Sequence, residues 1–326
     1  MIVSVLLIAA AIPVVAVGVE AVLLRRDKRG RPPLGKLVDV GGHRLHARIL
    51  SAGPSSEDRP LVVLEAGEGE WSSHWGRLPE MLSAQADVLA YDRAGLGWSE
   101  SGPGERDVET AALELRELLR HVAPGRKVLL VSHGWGAFVA RLFAARYPFE
   151  VAGLILVDGE SESLDARLDQ AGIPSVRTSA RLIRFMGLFG RLGFLRWTGF
   201  AACPDVDANL PESQAETIDT LWRSPRVLAG IQAEIHARPT SMGVVGKLKD
   251  RLEVPVLCLV AEESLSPEGL PQGYPRTEFN RIWRELGAGL ADLSGAGRAE
   301  IVEGACHHIQ LRSPHRVEAA VRDLLG

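Results

Sequence analysis

Val131-Ser132-His133-Gly134-Trp135-Gly136 closes an apolar run that begins at Lys127 and opens a helical pattern reaching about Tyr147. A run this short reads as a buried strand, and the helix after it leaves only a tight turn between the two. Small residues at Ser132 and Gly136, two positions either side of Gly134, let the backbone bend sharply there without clashing.

The same rhythm continues outward in both directions. Upstream, residues 37–40 and 43–49 form a hairpin signal about Gly41-Gly42, followed by short apolar strands at 61–65 and 87–92. Val108, Ala111, Ala112, Leu115, Leu118 and Leu119 recur at helical spacing over about 107–122. Downstream come strands at 152–158, 254–260 and 298–302, and a closing helix from Pro314 to Leu325. Strands alternating with helices predict an α/β fold with a mainly parallel central sheet and helices on both faces. No internal repeat or low-complexity tract interrupts the pattern.

The chain has 326 residues, 46% hydrophobic and 24% charged, with 37 Lys and Arg against 41 Asp and Glu for a net charge of −4. That composition excludes a disordered or collagen-like protein, and the near-neutral balance argues against a nucleic-acid partner. Three cysteines, Cys203, Cys258 and Cys306, are an odd number without a CxxC pair. They indicate neither a disulfide framework nor a metal site, and no cofactor is expected.

From Ile2 to Leu24 only Ser4 and Glu20 bring polar side chains, and 23 helical residues reach about 34 Å against a hydrocarbon core of about 30 Å. The basic cluster Arg25, Arg26, Lys28, Arg29 and Arg31 follows this run rather than preceding it. That order favours a transmembrane anchor over a cleaved signal peptide and puts the following domain on the cytoplasmic side of the cell membrane. The expected organisation is an anchor over 1–24, a basic, proline-containing linker over 25–35, a core over 36–158 and 250–326, and a helical cap over 159–249.

Four segments, in order, resemble the α/β-hydrolase family, and more narrowly its bacterial membrane-anchored members of esterase or lipase type. They are Leu64-Glu65-Ala66-Gly67-Glu68-Gly69, Tyr91-Asp92-Arg93-Ala94-Gly95-Leu96-Gly97-Trp98-Ser99, Val131 to Gly136, and Gly304-Ala305-Cys306-His307-His308-Ile309-Gln310. The resemblance covers residues 36–326 and implies the α/β-hydrolase fold with a cap inserted into it. It also implies a nucleophile at the elbow, where the G-x-S-x-G frame reads Ser132-His133-Gly134-Trp135-Gly136. Glycine fits the bent backbone but offers no hydroxyl, thiol or carboxylate for covalent catalysis. Ser132 belongs to the strand end, where its side chain does not point as the elbow does.

The other positions implied by the resemblance are His307 as base, and the backbone N–H groups of Glu68 and Trp135 as oxyanion donors. Two carboxylates compete for the acid: Asp158, at a strand end 24 residues after Gly134 and the first choice, and Glu263, one residue from the expected position, which holds Ser264. Asp92 and Arg93 read as structural turn residues, and His133 and His308 as packed or hydrogen-bonded histidines. Glu68 and Glu70 put carboxylates where an anion would have to be stabilised.

Within the cap, residues 171–203 carry Arg177, Arg181, Arg184, Arg191 and Arg196, no acidic residue, and many aromatics. Such a stretch suits contact with lipid headgroups, or an apolar face that lines a pocket. These features lead to two expectations. One is a hydrolase that acts on or binds a small apolar ester-like ligand at the membrane, its nucleophile replaced by Gly134. The other is a catalytically inactive protein that binds a ligand or a partner.

Overall fold

A computed structural model describes residues 2–53, 59–174, 180–198, 209–248, 251–267 and 270–326; the side chains of 2–11 and 180 lie outside the description. The chain opens with helix α1 (Ile2–Gly30) and strands β1 (Lys36–Asp39), β2 (Arg44–Leu50) and β3 (Leu61–Glu65). Helix α2 (Leu78–Leu82), β4 (Val88–Tyr91), α3 (Val108–Val122), β5 (Val128–His133), α4 (Gly136–Arg146) and β6 (Val151–Val157) follow. Between β6 and the next strand lie α5 (Leu164–Gln170), α6 (Ala180–Gly190), α7 (Phe194–Thr198), α8 (Glu212–Trp222) and α9 (Pro225–Val245). The remainder is β7 (Val256–Ala261), α10 (Arg276–Gly289), β8 (Gly297–Val302), α11 (Ile309–Arg312) and α12 (Pro314–Leu325).

The strands form one sheet in the order β1-β2-β4-β3-β5-β6-β7-β8. The β1–β2 hairpin pairs antiparallel with the rest through β4, and every pairing from β4–β3 to β7–β8 is parallel. Strands β3 to β7 are buried along nearly their whole length because helices cover both faces. On one face Leu115 and Leu118 of α3 join Phe138 and Phe143 of α4. On the other, Leu78 and Leu82 of α2 join Val317 and Val321 of α12. The amphipathic α3 starts where expected, with Asp107 accepting the Thr110 N–H at 2.9 Å as its N-cap.

In parallel sheets ligands bind outside the carboxyl ends of the strands, near the point where strand order reverses. Here that place lies beyond β3, β5, β6 and β7. Helices α6, α8 and α9 cover it, packing Ile183, Trp222, Leu228 and Ile231 against Trp71, Leu96 and Leu311.

The expected transmembrane helix over 1–24 is not supported: among the described residues no helix is long and apolar enough to cross a membrane. Residues 1–11 of that run fall outside the described side chains. Helix α1 continues to Gly30, through the basic cluster assigned to the linker. Its second half is tied to the cap, because Arg196 grips buried Glu20 at 2.9 Å and Asp27 at 2.8 Å while Lys28 donates to Ser224. Of the cap stretch singled out above, Arg177, Phe200 and Cys203 also lie outside the described residues.

Candidate active site

The elbow forms where the sequence places it. Gly134 sits between β5 and α4 at φ +51°, a left-handed backbone that side chains rarely adopt. Gly136 lets the turn press against β3, since a Cβ there would lie 2.6 Å from the Ala66 carbonyl oxygen. Ser132 is fully buried in β5 with its hydroxyl 3.5 Å from the Ile155 carbonyl. It faces into the sheet and away from the site.

His307 stands on the loop between β8 and α11. Its Nδ1 lies 2.8 Å from Asp158 Oδ2, and a Cβ built on Gly134 would meet its Cε1 and Nε2 at 3.3 Å. The ring therefore has the carboxylate on one edge and the elbow on the other, with Trp283 of α10 edge-on at 5.4 Å. Asp158, directly after β6, is completely buried at φ +45° and also accepts hydrogen bonds from the Ala261 N–H and the Ser264 hydroxyl. Burial alone would raise its pKa and favour the neutral form, but the bonds from His307, Ser264 and Ala261 outweigh that and hold the carboxyl below its ordinary pKa. His307 is pushed below the usual imidazole value by burial and by neighbouring His133, against the pull of Asp158. A neutral imidazole held in one tautomer by a buried carboxylate is a general base in form.

Glu263 is elsewhere. It is exposed and pairs with Arg276 at the start of α10. Ser264, at the position where the acid was sought, instead donates its hydroxyl to Asp158. Glu68 turns toward the cap, its Oε1 accepting from Arg238 of α9 at 2.9 Å, while Trp135 caps the start of α4. Arg93 is a buried structural cation, as its motif indicates: it bridges Glu65 at 2.6 Å and Glu234 of α9 at 2.7 Å and donates to the Ala66 and Gly67 carbonyls. Asp92 accepts the Ser72 and Trp98 N–H groups and lies 3.0 Å from His46 Nδ1.

Sequence reasoning missed how Glu70 turns inward. It is buried between two histidines, with His133 Nδ1 2.8 Å from its Oε2 and His308 Nε2 3.0 Å from its Oε1. Its Oε2 also accepts the Gly67 N–H at 2.9 Å. Burial favours the neutral acid, yet the two imidazoles reverse this and drive the carboxyl well below its ordinary range. The rings of His133 and His307 are 4.4 Å apart, so this cluster adjoins the His307–Asp158 pair. Residues 70, 133 and 308 share no spacing motif; the only sequence signal was that His133 and His308 lie inside two of the motif segments and Glu70 directly follows a third. A cleft of about 320 Å³ lies apart from these groups, lined by Arg31, His46, Ser72 and Gln214.

Residues 60–181 match the family described as alpha/beta hydrolase fold. The uncharacterised protein YqjL of Bacillus subtilis is 32% identical over 97 residues, 30% of this chain and 38% of that protein, so the match spans well under half of the relative's length. Among solved structures, ligand-free epoxide hydrolase CorEH superposes with a TM-score of 0.62 at 21% identity, covering 89% of this chain and 97% of its own. A thermophilic esterase from Thermogutta terrifontis gives a TM-score of 0.58 at 22% identity, covering 89% and 96%. At these identities the likeness establishes architecture. Taken with the matched segment, it gives this chain the α/β-hydrolase fold, with epoxide hydrolases and esterases among its structural neighbours.

Proposed function

We propose that the protein is a hydrolase of the esterase or lipase type that takes an apolar carboxylic-ester-like ligand at a membrane surface, with Gly134 standing where the attacking group would be. One observation carries this reading: His307 is held by Asp158 on one side and meets the elbow on the other. In acyl transfer that imidazole takes the nucleophile's proton and returns it to the leaving alcohol, while the aspartate fixes its tautomer. The proposed oxyanion donors are the backbone N–H groups of Glu68 and Trp135, which need no particular side chain. Removing such a nucleophile typically lowers turnover about 10⁶-fold, so the chain itself is expected to be nearly inert.

The test is p-nitrophenyl ester turnover by the full chain, beside Gly134→Ser and the double variant Gly134→Ser with His307→Ala. Serine is expected to raise turnover by several orders of magnitude, and removal of His307 to abolish the gain. Because epoxide hydrolases share the fold, Gly134→Asp with an epoxide substrate is the parallel experiment, a carboxylate there attacking the ring carbon. If neither substitution produces turnover, the hydrolase reading fails.

A second reading is favoured by Glu70. A buried carboxylate beside the place where an oxyanion would develop opposes that charge, as expected of a protein that binds an ester-like ligand or a membrane partner without cleaving it. Binding of a non-hydrolysable ester analogue, with no turnover in any variant, would support it. Placement at the cell membrane, with the domain on the cytoplasmic side, rests on the apolar run to Leu24 and the basic cluster after it.

A further inference from the structure

We propose that Glu70, His133 and His308 form a binding site for one divalent cation of the zinc class. Three lines of geometry converge on it. The candidate ligand atoms, one from each residue, all lie within 4.8 Å of one another. Two imidazoles and a carboxylate are a donor set that suits zinc, and three protein ligands leave a fourth position for water or a substrate oxygen. Each residue also comes from a different, well-anchored place: His133 ends β5, Glu70 follows β3 on the loop clamped by Arg93, and His308 precedes α11.

The surroundings orient these atoms. His133 Nε2 lies 3.1 Å from the His307 carbonyl oxygen, an acceptor that calls for a proton on Nε2. A metal-bound histidine commonly donates its distal N–H to a backbone carbonyl in this way, which frees Nδ1 to ligate. The Gly67 N–H holds Glu70 Oε2 in place. Nδ1 of His133 faces Glu70 Oε2 at 2.8 Å, so the atom free to ligate already points at the carboxylate. A cation would sit where these side chains now contact one another directly. The two rings meet different oxygens of Glu70, His133 at Oε2 (2.8 Å) and His308 at Oε1 (3.0 Å), so a cation between them would take the carboxylate through both oxygens or through one after a small rotation, with bond lengths of about 2.0–2.2 Å.

This site does not depend on the hydrolase reading: it binds metal whether or not Gly134→Ser turns over. The experiment loads the full wild-type chain with Zn²⁺ or Co²⁺, removes unbound metal by desalting, and measures metal content and melting temperature. One equivalent per chain and a raised melting temperature are expected. The cobalt form should show the visible bands of a four-coordinate site and no thiolate charge transfer. Glu70→Gln and His308→Ala should each weaken binding at least about ten-fold, with Cys306→Ser unchanged. Less than about 0.1 equivalent retained, or equal retention in both variants, overturns the site and leaves Glu70 as a hydrogen-bonded bridge between two histidines. Should a variant fail to fold, the cobalt spectrum of the wild-type chain decides, because thiolate bands or an octahedral spectrum would contradict a His, His, Glu site.

Discussion

Asp158 and Glu263 are both carboxylates near the ends of neighbouring strands, yet one is sealed against His307 and the other faces solvent beside Arg276. In a Gly134→Ser background, Asp158→Asn is therefore expected to lower kcat by about 10⁴, because an amide cannot hold the imidazole in the required tautomer. Glu263→Gln should change it less than about two-fold, an exposed ion pair contributing little. Ester kinetics on the two double variants separate the candidates. The same geometry sets the sign of the pH dependence. His307 is depressed below 6.5, so it stays neutral into mildly acidic solution, and turnover should fall only as pH drops through that lowered value. An inflection above 6.5 would mean that the pull of Asp158 outweighs desolvation and the neighbouring His133. Much of this pair was legible in sequence because His307 lies in a motif with a fixed register and Asp158 ends a clear strand. Glu70 was not, since a side chain's inward turn depends on partners 63 and 238 residues away.

Helix α9 decides how the cap meets the core, and it does so through charge. Glu234 is buried, takes two hydrogen bonds from Arg93 at 2.7 and 3.0 Å, and accepts the Gly69 N–H at 2.8 Å. One turn later Arg238 reaches Glu68 and Glu160. These contacts tie the loop after β3, which carries Glu68 and Glu70, to the cap. Glu234→Ala removes one partner of a buried pair and orphans an N–H, which costs about 3 kcal/mol, the low end for such losses because Glu65 still neutralises Arg93. Glu234→Gln keeps an acceptor for Gly69 and should cost less. Thermal unfolding reads the order, and faster proteolysis within 159–249 in the alanine variant would locate the loosening in the cap. A melting temperature unchanged by alanine would mean that apolar packing alone seats α9. The sequence marks Arg93 as structural, but its partner on α9 lies 141 residues away with no motif of its own. Strands and the helices between them declare themselves by local periodicity, whereas cap docking is set by long-range pairs.

The distribution of apolar and charged surface over the molecule bears on where it works. Ile12, Val14, Val15 and Val22 of α1 are each more than 60% exposed, and so is Trp197 of α7, with Phe185 and Leu188 of α6 at 55% and 60%. Arg196, next to Trp197, grips Glu20 and Asp27 and so ties α7 to α1. Large apolar side chains exposed on both α1 and the cap are the kind an interfacial contact uses. Arginines around such a surface add attraction to anionic headgroups, which falls with ionic strength while apolar insertion does not. The full chain is therefore expected to co-sediment with anionic phosphatidylserine-containing vesicles, and salt should release only part of it. Replacing Phe185, Leu188 and Trp197 together by serine should lower the bound fraction further in high salt than in low salt, because the residual binding there is the apolar share. An undiminished fraction in high salt would place the whole of the attachment on the N-terminal apolar run. Complete release by salt would make the contact electrostatic, and the exposed aromatics of the cap would then be available to a ligand or partner instead.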